Sequence, residues 1–198
     1  MKRLLITTIG KTHSGKSTFA KKLEEHLSNA IVVDQDNHAT FVNTYYNKLQ
    51  LNKNPNQLKI GLSKYILDFT IKQTNLHIIL CNSNINQDAR IELMESFFPK
   101  ELFLRIIVHF NINDALLLTR ITESKRSTTI FRDRNLTFEQ LLANQSNKVD
   151  PPDIYEADYI FTLDENTNQQ QLIEKIVNIQ INNIKKCGDD YVQSINTR

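Results

Sequence analysis

The chain has 198 residues, 40% of them hydrophobic and 23% charged, with a formal net charge of +2. That length supplies one α/β domain with a sizeable core and is short for two. The near-balanced charge excludes a general affinity for polyanions, and no apolar run reaches the roughly 20 residues of a membrane helix.

The two cysteines, Cys81 and Cys187, lie far apart without metal-ligand spacing and predict free thiols of a reducing cytoplasm. Lys2-Arg3 ahead of apolar residues has the outline of a leader peptide. The apolar run ends at Gly10-Lys11, so none is expected.

Residues 3–9 are apolar and rich in Leu, Ile and Thr, which predicts a buried strand. The next stretch, Gly10-Lys11-Thr12-His13-Ser14-Gly15-Lys16-Ser17-Thr18, fits the phosphate-binding loop pattern of Gly, four residues, Gly, Lys, then Ser or Thr. Residues 17–27 follow with Phe19, Ala20, Leu23 and Leu27 at helical spacing. A strand, this loop and a helix form the context that the pattern requires.

The residue types explain the chemistry. Glycines let successive backbone N–H groups turn inward around phosphate oxygens. The new helix adds its positive N-terminal end. His13, Ser14, Gly15 and Thr18 complete the cradle, Lys16 reaches the β- and γ-phosphates, and the Ser17 hydroxyl helps to hold Mg²⁺. These are the expected contacts of ATP with Gly10 and its successors.

Residues 30–33 are a second apolar run, ending in Asp34-Gln35-Asp36. In open α/β sheets ligands sit beyond the carboxyl ends of strands, so both acids are placed for chemistry. A phosphoryl acceptor needs a carboxylate to orient its hydroxyl and take the proton. Asp36 is assigned as that base and Asp34 to positioning Mg²⁺ through water; the alternative for either is a turn that caps the next helix.

Residues 37–57 are polar with interleaved Phe41, Tyr45, Tyr46 and Pro55, and predict a loop between two helical pieces. Residues 60–72 read as a helix, 76–81 as a third strand, and 91–98 as a helix stopped by Pro99. The fourth strand is 102–110, followed by a helix that Asn113 or Asp114 can cap and that runs toward Arg120.

A basic run follows with Lys125, Arg126, Arg132 and Arg134. It can be a solvated face or a mobile arginine arm that compensates the charge of a transferring phosphoryl group. With a phosphate site at hand, the arm is the assignment, with Arg126 and Arg120 on the transition-state charge.

Thr137 and Gln140 are spaced as a capping box for a helix over 136–143. Pro151-Pro152 break the chain, residues 157–163 predict a fifth strand, and 167–184 a final helix. The expected fold is α/β, three-layer and doubly wound, with a mostly parallel five-stranded sheet. The domain spans 1–186 with an arginine-rich lid at about 120–135, and 187–198 form a polar tail.

Several stretches resemble the branch of small P-loop kinases that contains polynucleotide 5′-hydroxyl kinases. Ser14 to Ala20 resembles its phosphate loop, Gln35-Asp36 its catalytic acid site and that of riboside-type nucleoside kinases. Asn84-Ile85-Asn86 with Arg90 resembles its third-strand signature, and Ser124-Lys125-Arg126-Ser127-Thr128 its lid. Gln145 and residues 157–160 are similar to the end of nucleotide and dephospho-coenzyme A kinases, where the last strand lies near the adenine.

The resemblance implies transfer of the γ-phosphoryl group of ATP, with Mg²⁺, to a hydroxyl of a nucleoside, nucleotide, polynucleotide end or other small metabolite. Ala39 stands where that branch places an acceptor-contacting arginine, and Asn82 where it usually has an aspartate. These departures favour a small-molecule acceptor over a polynucleotide. A nucleotide-binding ATPase or switch acting through a partner is the alternative class.

Overall fold

The computed structural model describes residues 2–49, 56–133 and 135–196, with side chains as far as residue 184. Pro55, Arg134 and the Cys187 side chain therefore lie outside the described residues. Five strands form one sheet: β1 (Arg3–Ile9), β2 (Ala30–Asp34), β3 (His77–Cys81), β4 (Phe103–Phe110) and β5 (Tyr159–Leu163). Their order is β2-β3-β1-β4-β5 and every pairing is parallel. β1 is central because its Leu4, Leu5, Ile6 and Ile9 are buried on both faces, as a doubly covered parallel sheet demands.

The helices are α1 (Lys16–His26), α2 (Gln35–Tyr45), α3 (Gln57–Gln73), α4 (Gln87–Phe97), α5 (Asp114–Glu123), α6 (Phe138–Gln145) and α7 (Gln169–Asn196). Two cores lie on opposite sheet faces. Leu4, Ile6, Phe19, Leu23, Ile106 and Ile176 fill one, and Leu5, Ile9, Leu67, Ile78, Met94 and Ile107 the other. The alternation within β1 and within β4 is the period-two pattern of a strand sandwiched between helix layers.

The expected three-layer α/β architecture is the observed one. Two boundaries differ in an instructive way. The segment expected as a tail continues as helix, since α7 runs to Asn196. A lone Gly188 costs a helix only about 1 kcal/mol and no proline follows it, so nothing in the backbone stops the helix where the apolar periodicity fades. α2 begins directly at Gln35 because the Asp34 side chain accepts the Asp36 N–H at 2.9 Å. Phe41, Tyr45 and Tyr46 sit on the outside of that element and pack on one another, away from the core.

Other caps follow the sequence closely. Asn113 caps α5, and Thr137 with Gln140 closes the reciprocal box that starts α6. Arg90 is fully buried and binds Glu156 at 2.7 and 2.9 Å and the Asn84 carbonyl at 2.9 Å. From within α4, Arg90 thus ties the loop after β3 to the segment ahead of β5. Among the described residues no helix is long and apolar enough to cross a membrane.

Candidate active site

The loop between β1 and α1 is shaped by two glycines at positive φ, Gly10 at 151° and Gly15 at 101°. A Cβ on Gly10 would stand 2.9 Å from Phe110 Cβ and 3.0 Å from the Phe110 carbonyl oxygen, so only glycine fits where β1 passes β4. Gly15 occupies the N-cap position of α1 and supplies no side chain to it. The first amides of α1 therefore stay open, as an anion-binding helix N-terminus requires.

Neighbouring elements hold this loop in shape. Gln145, at the end of α6, accepts the Thr12 N–H at 2.7 Å, and the Ser83 carbonyl accepts the Gly10 N–H at 2.9 Å. Lys11 pairs with Asp114 at the start of α5. Arg120 donates to the carbonyls of His13 and Ser14 at 3.3 and 3.4 Å. His13 has φ 57° and packs edge-on against Phe138 at 4.6 Å. Burial, with Arg126 and Lys16 nearby, lowers the His13 pKa, so its ring is neutral at physiological pH.

Lys16 folds back over the loop and donates to the Lys11 carbonyl at 2.6 Å and to Ser14 Oγ at 3.1 Å. Burial pushes its ammonium down to about 8, against the opposing pull of Asp36 and Asp34. A cation this poorly solvated gains more than an exposed lysine from an arriving phosphate. Thr18 lies in the first turn of α1, exposed and lining the same cleft.

Ser17 Oγ donates to Asp34 Oδ2 at 3.0 Å, while Asp34 Oδ1 takes the Asp36 N–H at 2.9 Å. Asp34 is 7% exposed and both of its oxygens are engaged, which leaves it a fixed acceptor at the end of β2. The paired hydroxyl and carboxylate are hard oxygen donors that fit Mg²⁺. Among the described residues no cluster of three His, Cys, Asp or Glu side chains could cage a metal. Cys81 Sγ lies 3.5 Å from Ser17 Oγ, but burial and Asp34 push its thiol up to about 12, so it stays protonated and inert.

Asp36, two residues further along, faces a cleft of about 820 Å³ that also contains Lys16, Ser17, Lys59, Arg120 and Arg126. Arg126 Nη2 bonds Asp36 Oδ2 at 2.5 Å, and its guanidinium lies 5.2 Å above the Phe138 ring. The segment carrying Arg126 joins α5 to α6 through a short 3₁₀ turn, Thr128–Ile130, and Asn43 Nδ2 donates to the Thr129 carbonyl at 2.7 Å. The lid is thus docked on α2. Asn82 bonds the side chain of Gln35 at 3.0 Å, binding the ends of β2 and β3 together.

All residues assigned from the sequence therefore border one cleft or its loop. Sequence reasoning did not name Lys59, which comes from the first turn of α3 after a segment with no recognisable spacing to the loop. Gln145 was named only by resemblance, and its hold on the loop amide comes from across the fold.

No protein-family model matches the sequence, and no curated protein sequence does. Solved structures do resemble the fold. A putative kinase from Chloroflexus aurantiacus aligns over 91% of this chain and 97% of its own, at 16% identity and a TM-score of 0.64. The APS kinase of Mycobacterium tuberculosis, solved with AMPPNP and APS, aligns over 90% and 98% at 13% identity and 0.61. A sugar kinase from Janibacter sp. aligns over 89% and 93% at 17% identity and 0.58. This chain has the α/β fold that these kinases share, over nearly the whole of its length.

Proposed function

We propose that the protein is an ATP- and Mg²⁺-dependent phosphotransferase that moves the γ-phosphoryl group to a hydroxyl of a small-molecule acceptor. The observation that carries this reading is Asp36. Its carboxylate faces the cleft beside the phosphate loop, half exposed, while Asp34 is locked behind it by two hydrogen bonds. One acid is fixed within the fold, and the other opens on the cleft with the lid residue Arg126 as its partner.

In this reading the acceptor hydroxyl gives its proton to Asp36, its oxygen forms a bond to the γ-phosphorus, and the bond from that phosphorus to the β–γ bridging oxygen breaks, releasing ADP. Lys16 and the loop amides hold the phosphates. Ser17, and Asp34 through water, would hold Mg²⁺, which neutralises phosphate charge. Arg126 and Arg120 are assigned to the charge of the transferring group. The polynucleotide-kinase-like branch remains the sequence resemblance behind Asp36 and Arg126, with a polynucleotide end the lesser acceptor.

An acceptor screen with γ-labelled ATP tests this, using nucleosides, nucleotides, sugars, sugar acids and 5′-hydroxyl oligonucleotides. Label transfer to one class that is lost in Asp36→Asn supports it. ATP hydrolysis that no hydroxyl compound accelerates, together with stimulation by a protein partner, would establish a switch instead.

A further inference from the structure

α2 offers the acceptor side of the cleft no cation: Ala39 is buried, at 5% exposure. The neighbouring α3 does. Lys59 is in the first turn of α3, half-buried, and lines the cleft with Asp36. Among the described residues its ammonium makes no hydrogen bond or ion pair, although Asp36 is close enough to act on its charge. Asp36 itself is already bonded to Arg126. A lysine in the first turn opposes the positive end of the helix, so local preference does not explain it. Burial lowers its pKa and adds to that cost.

The placement of Lys59 is also built. His38 Nδ1 bonds Ser63 Oγ at 2.7 Å, and Ser63 Oγ donates to the Lys59 carbonyl at 3.0 Å. The Ser63 hydrogen is used on that carbonyl, so His38 Nδ1 is the donor to Ser63. Burial lowers the His38 pKa, against Asp34, which keeps the ring neutral. α2, carrying Asp36, and α3, carrying Lys59, are pinned together two residues beyond Asp36 and one turn beyond Lys59.

We infer that Lys59 is a specificity-determining residue that reads an anionic group, carboxylate or phosphate, on the acceptor while Asp36 meets its hydroxyl. This rests on the phosphotransferase reading for the word acceptor, but the anion site itself does not. The charge that acts on Lys59 is Asp36, and Lys16, Asp34, Arg120, Arg126, Arg132 and Asp133 line the same cleft.

The test uses protein saturated with Mg²⁺ and AMP-PNP, so that the phosphate loop is filled. D-gluconate, inorganic phosphate and uncharged D-glucose are titrated by calorimetry into the unmodified protein, Lys59→Met and Lys59→Arg. Saturable binding of gluconate or phosphate is expected, weakened about tenfold or more in Lys59→Met, a loss of the size expected for a charge-assisted contact, and largely restored in Lys59→Arg. The gluconate and phosphate arms separate the two kinds of anionic group. Absence of saturable anion binding, or anion binding unchanged in Lys59→Met, overturns the inference. Should AMP-PNP itself not bind, the phosphotransferase reading fails, and the same titrations in Lys16→Ala, whose loop is silenced, still decide the role of Lys59.

Discussion

Arg126 of the lid and Asp36 of α2 form a hydrogen-bonded ion pair, 2.5 Å between Nη2 and Oδ2, that closes the cleft over the phosphate loop. The two groups assigned to opposite ends of the transferring phosphoryl group are thus each other's partner. The proposed transfer requires the pair to exchange, Arg126 toward phosphate and Asp36 toward the acceptor hydroxyl.

Asp36→Asn should bind MgATP with near-normal affinity while transfer to the acceptor falls on the order of 10²-fold or more, the scale of a lost positioned base. Arg126→Ala should lower the rate of transfer with a modest effect on nucleotide affinity. The side chains are 33% and 41% exposed, so neither substitution should cost more than about 1 kcal/mol in stability. Equilibrium binding, single-turnover transfer and urea unfolding check the three statements. Unchanged turnover in Asp36→Asn would move the base elsewhere.

Lys16 gives opposite pH slopes for binding and stability. Its folded pKa, about 8, lies below its ordinary 10.5, so between those values the unfolded chain binds the proton that the folded chain has shed. The Lys16 contribution to folding stability therefore rises with pH across that window. Affinity for MgATP should fall by about tenfold per pH unit above about 8, because the bound phosphates require the ammonium. Proton uptake on binding at pH 9, measured by calorimetry in two buffers, checks this, and Lys16→Ala should abolish both the uptake and most of the affinity.

Arg90 and Glu156, with side chains 1% and 2% exposed, form a buried pair whose breakage should be costly. Glu156→Gln is expected to destabilise by about 3–5 kcal/mol, since Arg90 would keep a buried charge with one compensating carboxylate removed. Burial pushes the Glu156 carboxyl up, but the bonds from Arg90 and the Asp153 amide hold it below the ordinary range. Its contribution is therefore present above the ordinary carboxylate pKa and is lost as pH falls through the depressed one. Urea unfolding of the two proteins across acid pH measures the difference, and equal stabilities would refute the assignment.

Gly10→Ala forces a Cβ to within 2.9 Å of Phe110 Cβ at a φ of 151°. Strain and overpacking of this kind cost about 1–3 kcal/mol. In a domain of this size that should appear as a melting temperature lower by several degrees. MgATP affinity should fall as well, because the displaced loop no longer aims its amides. Normal affinity in a well-folded Gly10→Ala protein would argue against the cradle.

Sequence and structure parted at particular places. Strand β1, the loop and α1 were legible together, because glycine spacing, apolar runs and helical periodicity are local properties of the chain. The caps of α5 and α6 were legible for the same reason. The division of labour between Asp34 and Asp36 needed the structure: the residues are two apart, and which one is locked depended on Ser17, a partner from a different element. Lys59 needed it still more, as nothing near it in sequence marks it. Arg90, grouped by resemblance with the third-strand signature, turned out to be bonded inward to Glu156, which lies 66 positions away.

By itself the sequence determined the glycine-lysine loop pattern at a strand–loop–helix junction, the α/β sheet that carries the junction, and the presence of acids and arginines assigned to it. Those conclusions follow from backbone geometry and side-chain periodicity, which a few consecutive residues encode. Tertiary structure decided which acid faces the cleft, where the lid rests and which cations share the cleft with Asp36. Those depend on the parallel order β2-β3-β1-β4-β5, which brings the ends of separate strands and helices to one edge, and no local pattern records that convergence.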